Sequence, residues 1–204
     1  MTGATLDMRR TALLTVDLQN DFLHADGAYA RGKAVLPGAT GLVANVRMAA
    51  EAVRAAGGWF VSTQFTLVPG RGGEPLISPH LKQLRPFLRK GDFQPGEWGH
   101  SLIDDLAPAD FTVEKVAYSA FYMSRLEFVL RKVGIETLLI AGIVTNGGVA
   151  STLRDAHVRD FHTILLTDGC AAFSQAAHDS SIASLGTVSR AMTCSEAASL
   201  VRAA

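Results

Sequence analysis

The chain predicts a doubly wound α/β fold, a parallel sheet covered by helices on both faces. Three observations predict it. Short apolar runs alternate with segments of helical periodicity along the whole sequence. The runs are continuously apolar rather than alternating in and out, as strands buried on both faces must be. Several runs end in a polar residue or a glycine turn, the punctuation expected where a strand hands over to a crossover. Right-handed crossovers gather the carboxyl ends of parallel strands along one edge, which is where a site is expected.

Thr11 to Asp17, "TALLTVD", is too short for a helix and reads as the first strand. Between Pro37 and Gly57, Leu42, Val43, Val46, Ala49, Ala50 and Val53 recur at helical spacing; Pro37 can open that helix and Gly57-Gly58 close it. Gly58 to Gln64 is the second strand. Phe65 to Gly99 is rich in Gly and Pro and predicts a long loop, a lid or pocket wall, with a helical turn near His80 to Arg89. Ser101 to Leu106 reads as a short helix and Phe111 to Lys115 as the third strand. Ser124 to Val133 places Leu126, Val129, Leu130 and Val133 on one helical face, ended by Gly134. Thr137 to Ile143 is a fully apolar fourth strand, Thr145 to Arg159 a helix, His162 to Asp168 a fifth strand, and Ala176 to Thr187 another helix. Ser189 to Thr193 completes the pattern as a short last strand. No repeat or linker interrupts it, so residues 1–204 are read as one domain.

The balance of 19 basic and 19 acidic residues gives no net charge, which argues against nucleic acid or an anionic membrane as partner and permits self-association. No apolar window reaches the roughly 18 residues of a membrane span, and no apolar leader follows a basic start. Cys170 and Cys194 have no metal or disulfide spacing and read as buried free thiols, consistent with a reducing cytoplasm.

Three strands end in Asp17, Gln64 and Lys115, and in a parallel sheet those ends share an edge. The fourth runs into "VTNGG", Val144 to Gly148, on that same edge. A buried Asp–Lys pair can poise a carboxyl group for proton transfer while the ammonium orients a substrate anion. Backbone N–H groups of Val144, Thr145, Asn146, Gly147 and Gly148, at a helix start, can receive a carboxylate or a developing oxyanion.

"LLTVDLQNDF" (Leu13 to Phe22), "EKVAYSAF" (Glu114 to Phe121) and "AGIVTNGGVASTLRDA" (Ala141 to Ala156) resemble three motif blocks of the isochorismatase-like, or cysteine hydrolase, family. "PGEWG", Pro95 to Gly99, resembles that family's loop before the third strand, and the likeness runs from about Ala12 to Glu196. The resemblance implies a six-stranded, mostly parallel sheet in a three-layer α/β/α arrangement. It implies that Asp17 and Lys115 match the Asp and Lys of amidase members, whose nucleophilic Cys falls on Gly148, and that a non-proline cis peptide lies at Val144–Thr145. Glycine offers no nucleophile, so the covalent route is closed at 148. The family's vinyl-ether hydrolases resemble this chain in having Gly there; in them the Asp is thought to protonate the enol-ether carbon, with Gln64 and Lys115 matching residues that hold the substrate. Thr145-Asn146 follows the amidase wording. Arg71 is the nearest match to an Arg expected after Gln64, with Arg85 a second candidate.

The expectation is a cofactor-independent hydrolase using non-covalent acid–base chemistry on a small cyclic or carboxylate-bearing metabolite, by vinyl-ether or related C–O or C–N cleavage. Asp17, Lys115 and Gln64 are its catalytic group, and Arg71 a substrate contact. Phe22, Trp98 and Tyr118 are expected as pocket walls. Two alternatives stay open: a non-catalytic member that binds a small molecule or a protein, and an amidase inactivated at position 148. The resemblance also implies a homodimer or homotetramer. The stretch after the second strand lacks the histidines of the family's metal-bearing members, and His80 and His100 are isolated, so no metal is expected.

Overall fold

The computed structural model describes residues 6–34 and 36–203. The first five residues, part of the start read above as lacking a leader, lie outside them. Six strands form one parallel sheet in the order β3-β2-β1-β4-β5-β6. They are β1 (Thr11–Val16), β2 (Trp59–Phe65), β3 (Phe111–Lys115), β4 (Thr137–Ile143), β5 (His162–Ala171) and β6 (Arg190–Met192). The order reverses between β1 and β4: the chain runs outward from β1 to β3, then returns to pair β4 with β1. That switch point opens a crevice at the carboxyl ends of the strands.

The helices in chain order are α1 (Asn20–Leu23), α2 (Ala28–Arg31), α3 (Ala39–Ala55), α4 (Pro79–Leu84), α5 (Leu126–Lys132), α6 (Ala150–Val158), α7 (Gln175–Leu185) and α8 (Cys194–Arg202). One face of the sheet packs on α3 and α8, where Leu13, Val46, Phe60, Leu139 and Val201 share a core. The other packs on α5, α6 and α7, with Leu14, Val61, Leu130, Leu138 and Leu153. Adjacent residues of one strand serve opposite cores because side chains alternate along it. A third cluster, Ala28, Tyr29, Leu67, Leu88 and Phe93, lies between α2 and the long 66–100 segment.

The structure departs from the sequence reading at several places. β5 does not stop at Asp168 but continues to Ala171, because a register shift beside Gly142 lets Cys170 and Ala171 pair with Gly142 and Ile143. Cys170 therefore lies within the strand, not beyond it. Cys194 opens α8, an unanticipated helix; Thr193 and Glu196 form its capping box. The expected helix at Ser101 to Leu106 shrinks to a 3-10 turn at Asp104–Leu106. The Thr145 to Arg159 helix begins with a wide π turn, Thr145–Val149, before α6. The non-proline cis bond is Ile143–Val144, one residue earlier than the family resemblance implied.

Candidate active site

β1 ends in the interior, and the next residue carries the first functional group. Asp17 has φ of 60°, a left-handed conformation that costs a non-glycine residue about 1–3 kcal/mol. Its N–H donates to Thr63 O at 3.0 Å, and its carbonyl accepts from Gln19 N at 2.9 Å, so both neighbouring segments hold the turn. Lys115 closes β3 and is paired in register with Phe65. The turn and the strand end bring Lys115 Nζ to 2.8 Å from Asp17 Oδ2, with both side chains almost wholly buried. Nζ also donates to Ala117 O at 2.7 Å and lies 5.4 Å from the Phe65 ring centre. Asp17 Oδ1 is buried and accepts no hydrogen bond among the described residues. Burial pushes the Asp17 carboxyl above the usual carboxylate range, against the pull of the Lys115 ammonium and the Phe65 backbone amide.

The pair forms the floor of a cavity of about 340 Å³ at the switch point. Phe22, Tyr29 and Phe65 form one wall; Val116, Ala117, Tyr118, Ile143, Val144 and Gly148 close the other; Arg85 and Phe173 stand with α4 at the rim. At Gly148 a Cβ would lie 3.3 Å from Asp17 Oδ2, 3.2 Å from Val16 Cγ1 and 3.1 Å from Ile143 O. A side chain at this position would start within van der Waals reach of the buried carboxyl group.

The neighbours of Asp17 in "DLQNDF" build the frame. Gln19 Nε2 donates to Phe65 O at 3.0 Å and His100 O at 2.9 Å. Asn20 Nδ2 donates to Trp98 O at 3.0 Å. The Asp21 carboxylate accepts from Ala28 N at 3.0 Å and Phe93 N at 2.7 Å, tying α2 to the long segment. Gly99 passes so close that a Cβ would lie 2.3 Å from that carboxyl group, so only glycine fits. Arg31 Nη2, 2.7 Å from both carboxylate oxygens of Asp92, adds a second tie between the same pieces.

Asp17, Lys115, Phe22, Tyr118, Val144 and Gly148 come together around the cavity; the other anticipated residues do not line it. Gln64 is buried, but its neighbour Phe65 takes the cavity face, and strand alternation sends Gln64 to the other side. Trp98 is 46 % exposed and meets His24 edge-on at 4.9 Å, away from the cavity lining. Arg71 is exposed on a loop, whereas Arg85 reaches the rim. Thr145 is fully buried with its hydroxyl 2.9 Å from His178 Nδ1, Asn146 is exposed, and the Gly147 N–H is spent on Val144 O at 2.9 Å. Arg85 was only the second candidate for the arginine expected after Gln64, and Tyr29 and Phe173 line the cavity without having been singled out in the sequence. Their signal was weak: Tyr29 sits in an unremarkable "GAYARGK", and Phe173 follows a strand that runs longer than it reads. Among the described residues, no cluster of three or more His, Cys, Asp or Glu side chains is placed to hold a metal, and no helix is long and apolar enough to cross a membrane.

Comparison with known proteins gives a consistent assignment. The family model described as "Isochorismatase domain" matches residues 11–197. A protein named ureidoacrylate amidohydrolase RutB from Pantoea ananatis is 33 % identical over 173 residues, spanning 78 % of this chain and 68 % of that protein. One of the same name from Agrobacterium fabrum is 33 % identical over 178 residues, 80 % of this chain and 77 % of that one. In structure, a cysteine hydrolase from Pseudomonas syringae pv. phaseolicola superposes with a TM-score of 0.83 at 24 % identity, over 100 % of this chain and 99 % of that one. N-carbamoylsarcosine amidase from Thermoplasma acidophilum gives 0.69 at 26 % identity, over 91 % and 96 %. The chain belongs to the isochorismatase family of hydrolases.

Proposed function

We propose that this chain hydrolyses a small metabolite by proton transfer through Asp17, with no covalent enzyme adduct. The observation that carries the reading is the line from Gly148 to Asp17. A Cβ at 148 would stand 3.3 Å from Asp17 Oδ2, so a position beside the carboxyl group from which a nucleophilic side chain could project holds a glycine. Water is then the attacking species, and the groups that remain are a buried carboxyl and a buried ammonium.

In the acid form of the reaction, burial favours the protonated form of the Asp17 carboxyl. Asp17 gives its proton to the terminal carbon of an enol ether. Water adds to the oxocarbenium carbon, the hemiketal collapses to a ketone and an alcohol, and the proton lost by the water returns to Asp17. Lys115 steadies the carboxylate left after the transfer. A second reading is favoured by the relatives named ureidoacrylate amidohydrolase and by the similarity to N-carbamoylsarcosine amidase. In it Asp17 takes a proton from the water that attacks a ureido or amide carbon, and the amine departs with a proton. Both readings use the same pair; they differ in whether Asp17 enters the cycle protonated.

The test is turnover of isochorismate, ureidoacrylate and N-carbamoylsarcosine by the unmodified protein and by Asp17→Asn. Hydrolysis of one of them, lost in the variant and accompanied by no mass increase of the intact protein, is the expected result. Tight binding of all that bind, with none converted, would leave a binding protein in place of an enzyme.

A further inference from the structure

We propose that His178 is a positioning residue of this site: it holds the 144–148 turn in place beside Asp17 by accepting a hydrogen bond from the buried Thr145 hydroxyl. The inference rests on the hydrolytic reading and adds to it a residue from outside the cavity lining. Val144 and Gly148 line the cavity, and a Cβ at Gly148 would lie 3.3 Å from Asp17 Oδ2. A small rotation of the turn therefore changes the space in which a substrate meets the carboxyl group. Thr145, next in the chain to Val144, is fully buried and does not line the cavity. Its Oγ1 lies 2.9 Å from His178 Nδ1.

The turn is held within itself by the Gly147 N–H, which donates to Val144 O at 2.9 Å, and the Val149 N–H, which donates to the same oxygen at 3.3 Å. These local bonds fix its shape and not its place. The sheet holds β4 as far as Ile143, in register with Ala171. Beyond it, among the described residues, the bond from Thr145 to His178 is the one side-chain hydrogen bond that joins residues 144–149 to another element. That element is α7, which starts directly after the rim residue Phe173. Ser174 caps it, accepting from Ala177 N at 3.2 Å, and His178 lies one turn in, its N–H on Ser174 O at 3.1 Å. Further along, Ser184 Oγ accepts from Arg154 Nη2 at 2.9 Å, which ties α7 to α6, the helix that continues the turn. Ile182 and Leu185 of α7 pack into the same core as Val149 and Leu153. One helix thus carries a rim residue of the cavity and the tether of its wall.

The threonine sets the direction of the bond. Thr145 Oγ1 has no second hydrogen-bond partner among the described residues. If Nδ1 carried the ring proton and donated it, the buried hydroxyl proton would be left without an acceptor, which is costly. With Thr145 donating, that proton is paired, Nδ1 is the acceptor and the ring proton sits on Nε2. The ring is half-buried, so Nε2–H has access to water. Loss of this tether should show in the rate of the chemical step, because alignment of reacting groups is worth large factors.

The test is amide and histidine-ring NMR of the whole protein, with turnover of isochorismate, ureidoacrylate and N-carbamoylsarcosine measured alongside. His178→Asn removes the ring but keeps a polar atom near the place of Nδ1; His178→Ala removes both. His178→Ala should displace the Val144 and Gly148 amide resonances, and His178→Asn should displace them far less. In the unmodified protein the His178 ring should carry its proton on Nε2, and its Nδ1 signal should shift in Thr145→Val. On a substrate that turns over, His178→Ala and Thr145→Val should each lower kcat by about tenfold or more with KM little changed. The double variant should lose no more than either single one, and His178→Asn should recover most of the loss. If His178→Ala does not fold, Thr145→Val, which keeps the shape of the side chain, carries the same comparison with His178→Asn. The proposal is overturned if the two His178 variants displace the amides alike, if His178→Ala leaves them in place, if the ring proton sits on Nδ1, if kcat survives in both single variants, or if their losses multiply in the double. Failure of the hydrolytic reading shows separately, as no turnover by the unmodified protein, and the amide and ring signals then still decide whether His178 holds the turn.

Discussion

At Asp17 two influences pull on one carboxyl group in opposite directions. The buried carboxyl is held above its ordinary range by desolvation, and Lys115 limits the rise. The sign of the linkage follows. A raised folded-state pKa means that the folded protein binds this proton more tightly than the unfolded chain. The stability contributed by this group is complete below the ordinary carboxylate range and is lost as pH rises through the folded value. If Asp17 enters as the acid, kcat/KM should fall over that same rise; if it enters as the base, kcat/KM should climb. A pH–rate profile therefore separates the two forms of the reaction, and Asp17→Asn should lower turnover by about 10²–10⁴-fold while removing that limb. Lys115→Met should cost stability, of the order of 3–5 kcal/mol for a buried pair deprived of one partner, measurable by denaturant unfolding. Gly148→Cys meets contacts of 3.1–3.3 Å, so it should fold at a cost of about 1–3 kcal/mol. Its thiol, beside Asp17 and Lys115, should give a covalent intermediate with ureido or amide substrates, visible as an added mass. Asp17 and Lys115 were legible because each is a polar residue at the end of an apolar run. Gln64 has the same signature, yet its strand presents Phe65 to the cavity instead; one residue of alternation separates the two, and an apolar run does not reveal it.

The elements around the site are held by side chains that look catalytic in the sequence and serve as struts. Asp21 ties α2 to the long segment through the Ala28 and Phe93 amides. Asp21→Ala should cost about 1.5–3 kcal/mol, the worth of hydrogen bonds to a charged acceptor, and raise KM because Phe22, Tyr29 and Phe93 pack together above it. Gly99→Ala places a methyl within 2.3 Å of that carboxyl group and should lower the melting temperature although the substitution is small. α3 was readable from its apolar spacing and from Gly57 at its end, where φ is 77°. α8 was missed although "TCSE" spells a capping box, Thr193 to Glu196; the short β6 before it hides the boundary. α1 and α2 span four residues each, too few for any periodicity to show.

At the centre of the sheet β1, β2 and β4 are buried on both sides, so these strands have no tolerant face, unlike the edge strands β3 and β6. Leu138 and Leu139 are adjacent in β4, both fully buried, and belong to different cores. Leu138→Ala and Leu139→Ala should each cost about 2–5 kcal/mol in denaturant unfolding; a sheet with one solvent face would show a large cost for only one of them. By itself the sequence determined the fold class, the six strands and the carboxyl–ammonium pair, because hydrophobic period and strand-end polarity are local properties of the chain. Only the tertiary structure decided which residues face the cavity, why Arg85 rather than Arg71 reaches it, and where β5 ends. Those depend on strand register and on which loop packs over which ring, relations between segments as distant as Tyr29 and Phe173 that no local pattern encodes.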